Sequence, residues 1–201
     1  MVSPRKYHHG NLKEAFLEAA REVLEADGLT GLSLRKTAEK IGVSHTAPKN
    51  HFGSMSGLLT ALVTQGYAEL ADYMVADETA GADRCARRGT ALAGYVDFAT
   101  ANPALYELMF ARDRLVNDDP DLMREVGACF SILADVAKDL GWHTGPAEVV
   151  TGKSQIALWS FVHGYAQLIT AGRFKKDNMK NLSVLDILPA ISAKIPPDTP
   201  E

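Results

Sequence analysis

The sequence predicts an all-α fold, with a three-helix N-terminal domain holding a helix-turn-helix and a larger helical domain behind it. Three observations carry this expectation. Apolar residues recur at helical spacing along most of the chain, and alternating β-branched runs are absent. The breaks fall at helix-stopping residues: Gly28, Gly42, Asn102-Pro103, Asn117 to Pro120, Gly141 to Pro146 and Arg173 to Asn181. The stretch from Ser33 to Leu59, SLRKTAEKIGVSHTAPKNHFGSMSGLL, reads as two short helices crossing at a glycine turn. A chain of 201 residues, 46% hydrophobic and 23% charged, can bury a sizeable core. The expected division is residues 1–55, residues 56–195 and a flexible tail, 196–201.

Taken in order, residues 1–10 (MVSPRKYHHG) are a polar arm in which Arg5 and Lys6 suit phosphate or a minor groove. Asn11 with Glu14 is a capping-box pair. Leu12, Phe16, Leu17, Ala20, Val23 and Leu24 then form one apolar stripe, stopped at Gly28. After the short connection LTGL, Ser33 is an N-cap for a helix over 34–40. Leu34, Ala38 and Ile41 share its buried face, Gly42 makes the turn, and Val43 fills the angle. Ser44 is read as the cap of a second helix over 45–52. Its exposed face is His45, Thr46, Lys49 and Asn50, which carry donors and acceptors sized for base edges and phosphates. The plainer alternative is a solvated polar face.

Gly53-Ser54 opens a helix expected over 56–80, with Leu58, Leu59, Leu62, Val63, Tyr67, Leu70 and Met74 recurring along it. Further helices are expected near 83–101, 103–111, 120–139, 146–171 and 183–194, before a Pro-rich tail. The last has more apolar positions (Leu182, Val184, Leu185, Ile187, Leu188, Ile191) than one buried stripe needs, which suits a partner helix.

Charge is unevenly placed. The whole chain has a formal net charge of −4. Residues 1–53 carry eight Lys+Arg against six Asp+Glu and four of the six histidines, while the remainder is acidic. A mildly basic head on an acidic body suits docking on nucleic acid through one end. Cys85 and Cys129 offer neither a disulfide framework nor metal spacing, and each is expected in the core. No signal peptide or membrane span is evident, so a cytoplasmic protein is expected. Thr151-Gly152-Lys153-Ser154 ends like a phosphate loop but lacks the earlier glycine, and no catalytic motif is present. The expectation is no enzyme, no cofactor and no metal.

The body holds a collection of aromatic and methionine side chains able to line a cavity between helices. Tyr95, Phe98, Tyr106, Met109, Phe110, Met123, Phe130, Trp159 and His163 are its candidate effector contacts. Plain core is the alternative for each of them. His163 follows Trp159 by four residues, so both share a helix face.

Tyr7-His8-His9-Gly10-Asn11-Leu12, the helix to Gly28 and the stretch from Ser33 together resemble the N-terminal domain of TetR-type transcriptional regulators. Trp159-Ser-Phe-Val-His163-Gly164 resembles the Trp-His-Gly motif in one branch of that family's ligand-binding domains. The resemblance implies a homodimeric regulator, most commonly a repressor, that binds a palindromic operator in double-stranded DNA and is released by a small apolar or aromatic effector. It implies that His45, Thr46 and Ala47 face base edges. Ser44, Lys49, Asn50 and His51 would contact phosphates, with Ser33 and Arg35 near the backbone. The last two long helices would form the dimer contact, and the fourth helix would set the spacing of the two heads. Two positions depart from the family pattern: Lys49 stands where Tyr is common, and Met55 where Lys is frequent. Two other readings fit the residues: a DNA-binding regulator without a small-molecule effector, and an effector-binding or scaffold protein with a degenerate head.

Overall fold

The computed structural model describes residues 12–138, 140, 146–174 and 182–187. Arg5, Lys6, Asn11, Leu188, Ile191 and the tail therefore lie outside the described residues. Among those described, every regular element is a helix. None is long and apolar enough to cross a membrane.

Helix α1 spans Leu12–Gly31, with a kink at Gly28 (φ 67°, ψ −178°) where the sequence stops its stripe. Phe16, Leu17, Ala20, Val23 and Leu24 are all buried, at about 1.5–3 kcal/mol for each large apolar side chain. Helix α2, Leu34–Ile41, starts as expected: the Ser33 Oγ accepts from the Lys36 N–H at 3.2 Å. It ends at Gly42 (φ 71°), in the left-handed region where a Cβ is disfavoured. Helix α3 is Ala47–Phe52, and α4 is Met55–Val75.

Next come α5, Arg84–Ala101, and α6, Pro103–Met109, which tightens into a 3-10 turn, Arg112–Arg114. Helix α7 is Pro120–Ala137 and α8 is Ala147–Thr170, after which 184–187 are helical. Two ends differ from expectation. The fourth helix stops five residues early, because Asp77, Thr79 and Gly81 favour turns over a further helical turn. The helix expected to reach 111 ends at Met109, where the Phe110 and Ala111 N–H groups reach back only three residues.

The chain packs as two compact units. Among the described residues the first comprises 12–67 together with 102–124, and the second comprises 68–101 with those from 125 onward. In the first, the Thr60 Oγ1 accepts from the Val116 N–H at 2.9 Å while donating to the Ser56 carbonyl at 2.7 Å. The Tyr67 hydroxyl donates to the Met109 carbonyl at 3.4 Å. Leu105, Tyr106, Leu108 and Met109 are buried, so residues 102–124 add apolar mass to a small N-terminal core.

In the second unit α5 packs on α8, burying Ala91, Leu92 and Tyr95 on one side and Leu158, Val162 and Tyr165 on the other. Gly94 lets α5 approach the end of α4, because a Cβ there would overlap the Tyr73 carbonyl oxygen. The buried Arg88 Nε donates to the Val136 carbonyl at 2.7 Å, satisfying an orphan acceptor in the last turn of α7.

Candidate nucleic-acid interface

The helix-turn-helix is α2, the turn 42–46, and α3. Thr37 and Ala38 are fully buried, and the Thr37 hydroxyl donates to the Ser33 carbonyl at 2.9 Å. Val43 is half-buried in the angle, its N–H bonded to the Ala38 carbonyl at 3.1 Å.

The start of α3 corrects the sequence reading. The helix begins at Ala47, so His45 and Thr46 lie in the turn before it, and Ser44 is not its N-cap. Proline supplies the reason. A helix begun at His45 would place Pro48 where its missing N–H should bond to the Ser44 carbonyl. Starting at Ala47 puts Pro48 in the first turn, where no bond is lost, and Pro48 is buried there. Ser44 instead orders the turn: its hydroxyl shares a hydrogen bond with the Thr46 hydroxyl at 3.0 Å and accepts from the Thr46 N–H at 3.4 Å.

Ser44, His45, Thr46, Lys49, Asn50 and His51 are exposed, and Ala47 is half-buried. They form one polar surface that carries a methyl group at Ala47. His51 is the member most constrained, with its ring 5.8 Å from that of Phe16 and 6.3 Å from that of Phe52. Met55, where a lysine would have added charge, is half-buried at the start of α4.

The cations of α2 are already engaged. Lys36 pairs with Asp27 and Lys40 with Glu22, both at 2.7 Å, which fixes α2 against α1. The Arg35 Nε lies 2.8 Å from Glu39, and this contact raises the Arg35 pKa and holds the Glu39 carboxyl below its ordinary value. Among the described residues no carboxylate pairs with Lys49.

The candidate effector residues divide between the two units. In the second, Tyr95, Phe130, Trp159 and His163 come together. The Tyr95 hydroxyl is 3.1 Å from His163 Nδ1, and the Trp159 ring lies 5.0 Å from Phe130 and 6.0 Å from His163. Burial lowers the His163 pKa, which favours the neutral ring. Phe98 stacks edge-on against Tyr73 at 5.6 Å.

In the first unit Tyr106 stacks on Phe110 at 5.2 Å, and the Met109 carbonyl accepts from Tyr67. Met123 is 61% exposed, since it falls on the outward side of α7 one residue after buried Leu122. Two cavities are lined by other residues. One, of about 420 Å³, lies among Leu17, His51, Phe52, Thr60, Ala61 and their neighbours. The other, of about 330 Å³, lies among Tyr73, Thr90, Ala93, Asp97 and Leu185.

Cysteine burial also corrects the sequence reading in part. Cys129 is buried, and desolvation pushes its thiol up to about 12, whereas Cys85 near the start of α5 is exposed. On α8, Val149, Ile156 and Leu168 are exposed apolar residues, as are Leu182 and Leu185 beyond it. Val184 is buried.

Comparison with known proteins agrees with this geometry. A model described as bacterial regulatory proteins of the tetR family matches residues 16–62. A model of the tetracyclin repressor-like C-terminal domain matches residues 90–185. Together they cover more than half of the chain. The chain is similar to an uncharacterized HTH-type transcriptional regulator, YobS, of Bacillus subtilis, at 27% identity over 96% of this chain and 92% of that protein. It is also similar to an HTH-type transcriptional regulator of Mycobacterium tuberculosis, 31% identical over 54% of this chain and 47% of the relative.

Among solved structures, a protein of unknown function from Rhodococcus sp. RHA1 matches with a TM-score of 0.72 and 27% identity, over 94% of this chain and 95% of that one. A TetR-like transcriptional regulator from the same source shares the fold, with a TM-score of 0.58 at 14% identity, over 92% and 94% of the two chains. These are regulators rather than enzymes where a role is named. With a helix-turn-helix built as described and both family domains matched in order, the chain belongs to the TetR family of DNA-binding transcriptional regulators.

Proposed function

We propose that the protein is a cytoplasmic homodimeric repressor that binds a palindromic operator through residues 1–55 and is released by a small apolar or aromatic effector. The observation that carries this is the exposed surface of α3 and its preceding turn. His45, Thr46 and Ala47 would face base edges, with Thr46 donating or accepting and the Ala47 methyl meeting a thymine methyl. Ser44, Lys49, Asn50 and His51 would lie along phosphates, with Lys49 as the principal charge. Ser33 and Arg35 would stand near the backbone, Arg35 by exchanging Glu39 for phosphate, and Arg5 and Lys6 would extend the contact from the arm. The exposed apolar residues of α8 and of 182–187 support a face shared with a second copy. Two-fold symmetry would then match a palindrome.

Four of the nine candidate effector residues, Tyr95, Phe130, Trp159 and His163, are linked by ring and hydrogen-bond contacts, which supports an aromatic ligand. Effector and operator affinities would be reciprocally coupled, typically by about 1–3 kcal/mol. The test is sequencing of genomic fragments that the purified protein retains at about 0.15 M salt. A recurring inverted repeat is expected, released by aromatic compounds acted on by products of the neighbouring genes. No enriched fragment would favour a scaffold with a degenerate head. Enrichment insensitive to such compounds would favour a regulator without an effector.

A further inference from the structure

The cavity of about 420 Å³ lies wholly within the first unit. Its walls come from the start of α1, the end of α3, residues 57–65 of α4 and the start of α7. None of the nine candidate effector residues lines it. Its size falls in the range of about 300–1,000 Å³ that small-ligand sites occupy.

The walls are of two kinds. Leu17, Phe52 and Ala61 are apolar; Leu17 is buried, and the Phe52 ring packs edge-on against Phe16 at 6.0 Å. The polar wall is made mainly of acceptors. The Thr64 hydroxyl gives its proton to the Thr60 carbonyl at 2.9 Å, so its lone pairs are what it offers an occupant. Asp119 caps α7 through Oδ1, which accepts from the Asp121 and Leu122 N–H groups at 3.0 Å. Its Oδ2 takes no donor among the described residues, and neither does the Glu14 carboxylate. Asp121 is engaged by Arg124. Against these groups the described lining sets one lysine, Lys13.

Acceptors facing an apolar wall suit a molecule with N–H donors and positive charge at one end and hydrocarbon at the other. An anion would be repelled by Glu14 and Asp119. A neutral apolar molecule would leave their oxygens desolvated and unpaired.

We propose that this cavity binds a primary alkyl- or arylalkylammonium ion. Glu14, Asp119 and Thr64 hold the ammonium, and the hydrocarbon lies against Leu17, Phe52 and Ala61. The site goes beyond the effector cluster of the second unit. His51 and Phe52 are the last residues of α3, so an occupant here touches the helix-turn-helix itself.

The test is titration of the full chain, without DNA, followed by NMR of its backbone amides. The probes are phenethylamine and hexylamine, with phenethyl alcohol as the neutral counterpart and hydrocinnamate as the anion. At least one amine should bind with a Kd of about 1 mM or tighter, shifting amides of 51–52, 57–65 and 119–121. The alcohol and the anion should bind about tenfold more weakly or not at all.

Glu14→Gln and Asp119→Asn should each weaken amine binding about tenfold, and asparagine still caps α7. Ala61→Leu fills the cavity and should abolish binding. Glu18→Gln removes an exposed α1 carboxylate outside the lining and should leave binding unchanged. If Ala61→Leu does not fold, the exposed Glu14→Gln decides the matter. No binding by either amine, equal binding of the alcohol or the anion, or shifts confined to 91–99 and 155–166 would overturn the proposal. So would an equal loss in Glu18→Gln. No DNA enters the titration, so its outcome is independent of the operator reading.

Discussion

The Lys49 ammonium stands on the exposed face of α3, while the lysines of α2 are spent on Asp27 and Glu22. Replacing Lys49 with Met should therefore weaken DNA binding almost independently of sequence. The slope of log K against log salt should fall by about 1, measured by titration of a fluorescent duplex. His163 offers a test in the second unit. Its folded pKa lies below the unfolded value of about 6.5.

Above that value both states are neutral at His163, and its contribution is constant. Below it the unfolded chain takes the proton first, so stability should fall as pH drops from about 6.5 toward the folded pKa. A melting series should show this fall, and His163→Gln should flatten that part of the profile. At this scale the sequence revealed residue types and helix faces. It did not reveal that Tyr95 meets His163 or that Phe98 turns to Tyr73, since both pairings depend on how distant helices pack. Nor did it reveal that Met123 is exposed, because a methionine beside a buried leucine carries no sign of its own orientation.

The elements were legible where local chemistry decides them. The Ser33 cap and the Gly42 turn need only residues a few positions apart, and both formed as read. Gly42→Ala should cost about 1–2 kcal/mol, because the left-handed backbone at φ 71° disfavours a Cβ; chemical denaturation would measure it. The start of α3 was also written in the sequence, but Pro48 rather than Ser44 was the residue to read. Thr60 was not legible as a link. It sits in the middle of α4, and its partner Val116 is far along the chain. Thr60→Val should cost about 1–3 kcal/mol by stranding the Val116 amide. The loss should appear in the unfolding of the first unit while α5 and α8 keep their protection in hydrogen exchange.

For the whole molecule, the all-helical class followed from periodicity, and the order of helices was read closely. That residues 102–124 pack with 12–67 was not legible, because the tertiary bonds that join them leave no periodic trace. The proposed dimer adds a further consequence at this scale. Ile156→Glu places a charge on the exposed apolar face of α8, where Ile156 is 62% exposed in the single chain. Light scattering should report monomers for this variant and dimers for the parent.

In the proposed function the turn and first residues of α3 read bases from a two-fold dimer. The most direct measurement is selection of binding sites from a random duplex pool by the wild-type chain and by Thr46→Val, with Ser44→Ala as a control for loss of their shared hydrogen bond. An inverted repeat is expected for all three, with preference changed in Thr46→Val alone at one symmetry-related pair of positions. A pool without an inverted repeat, or an identical consensus from Thr46→Val, would contradict it.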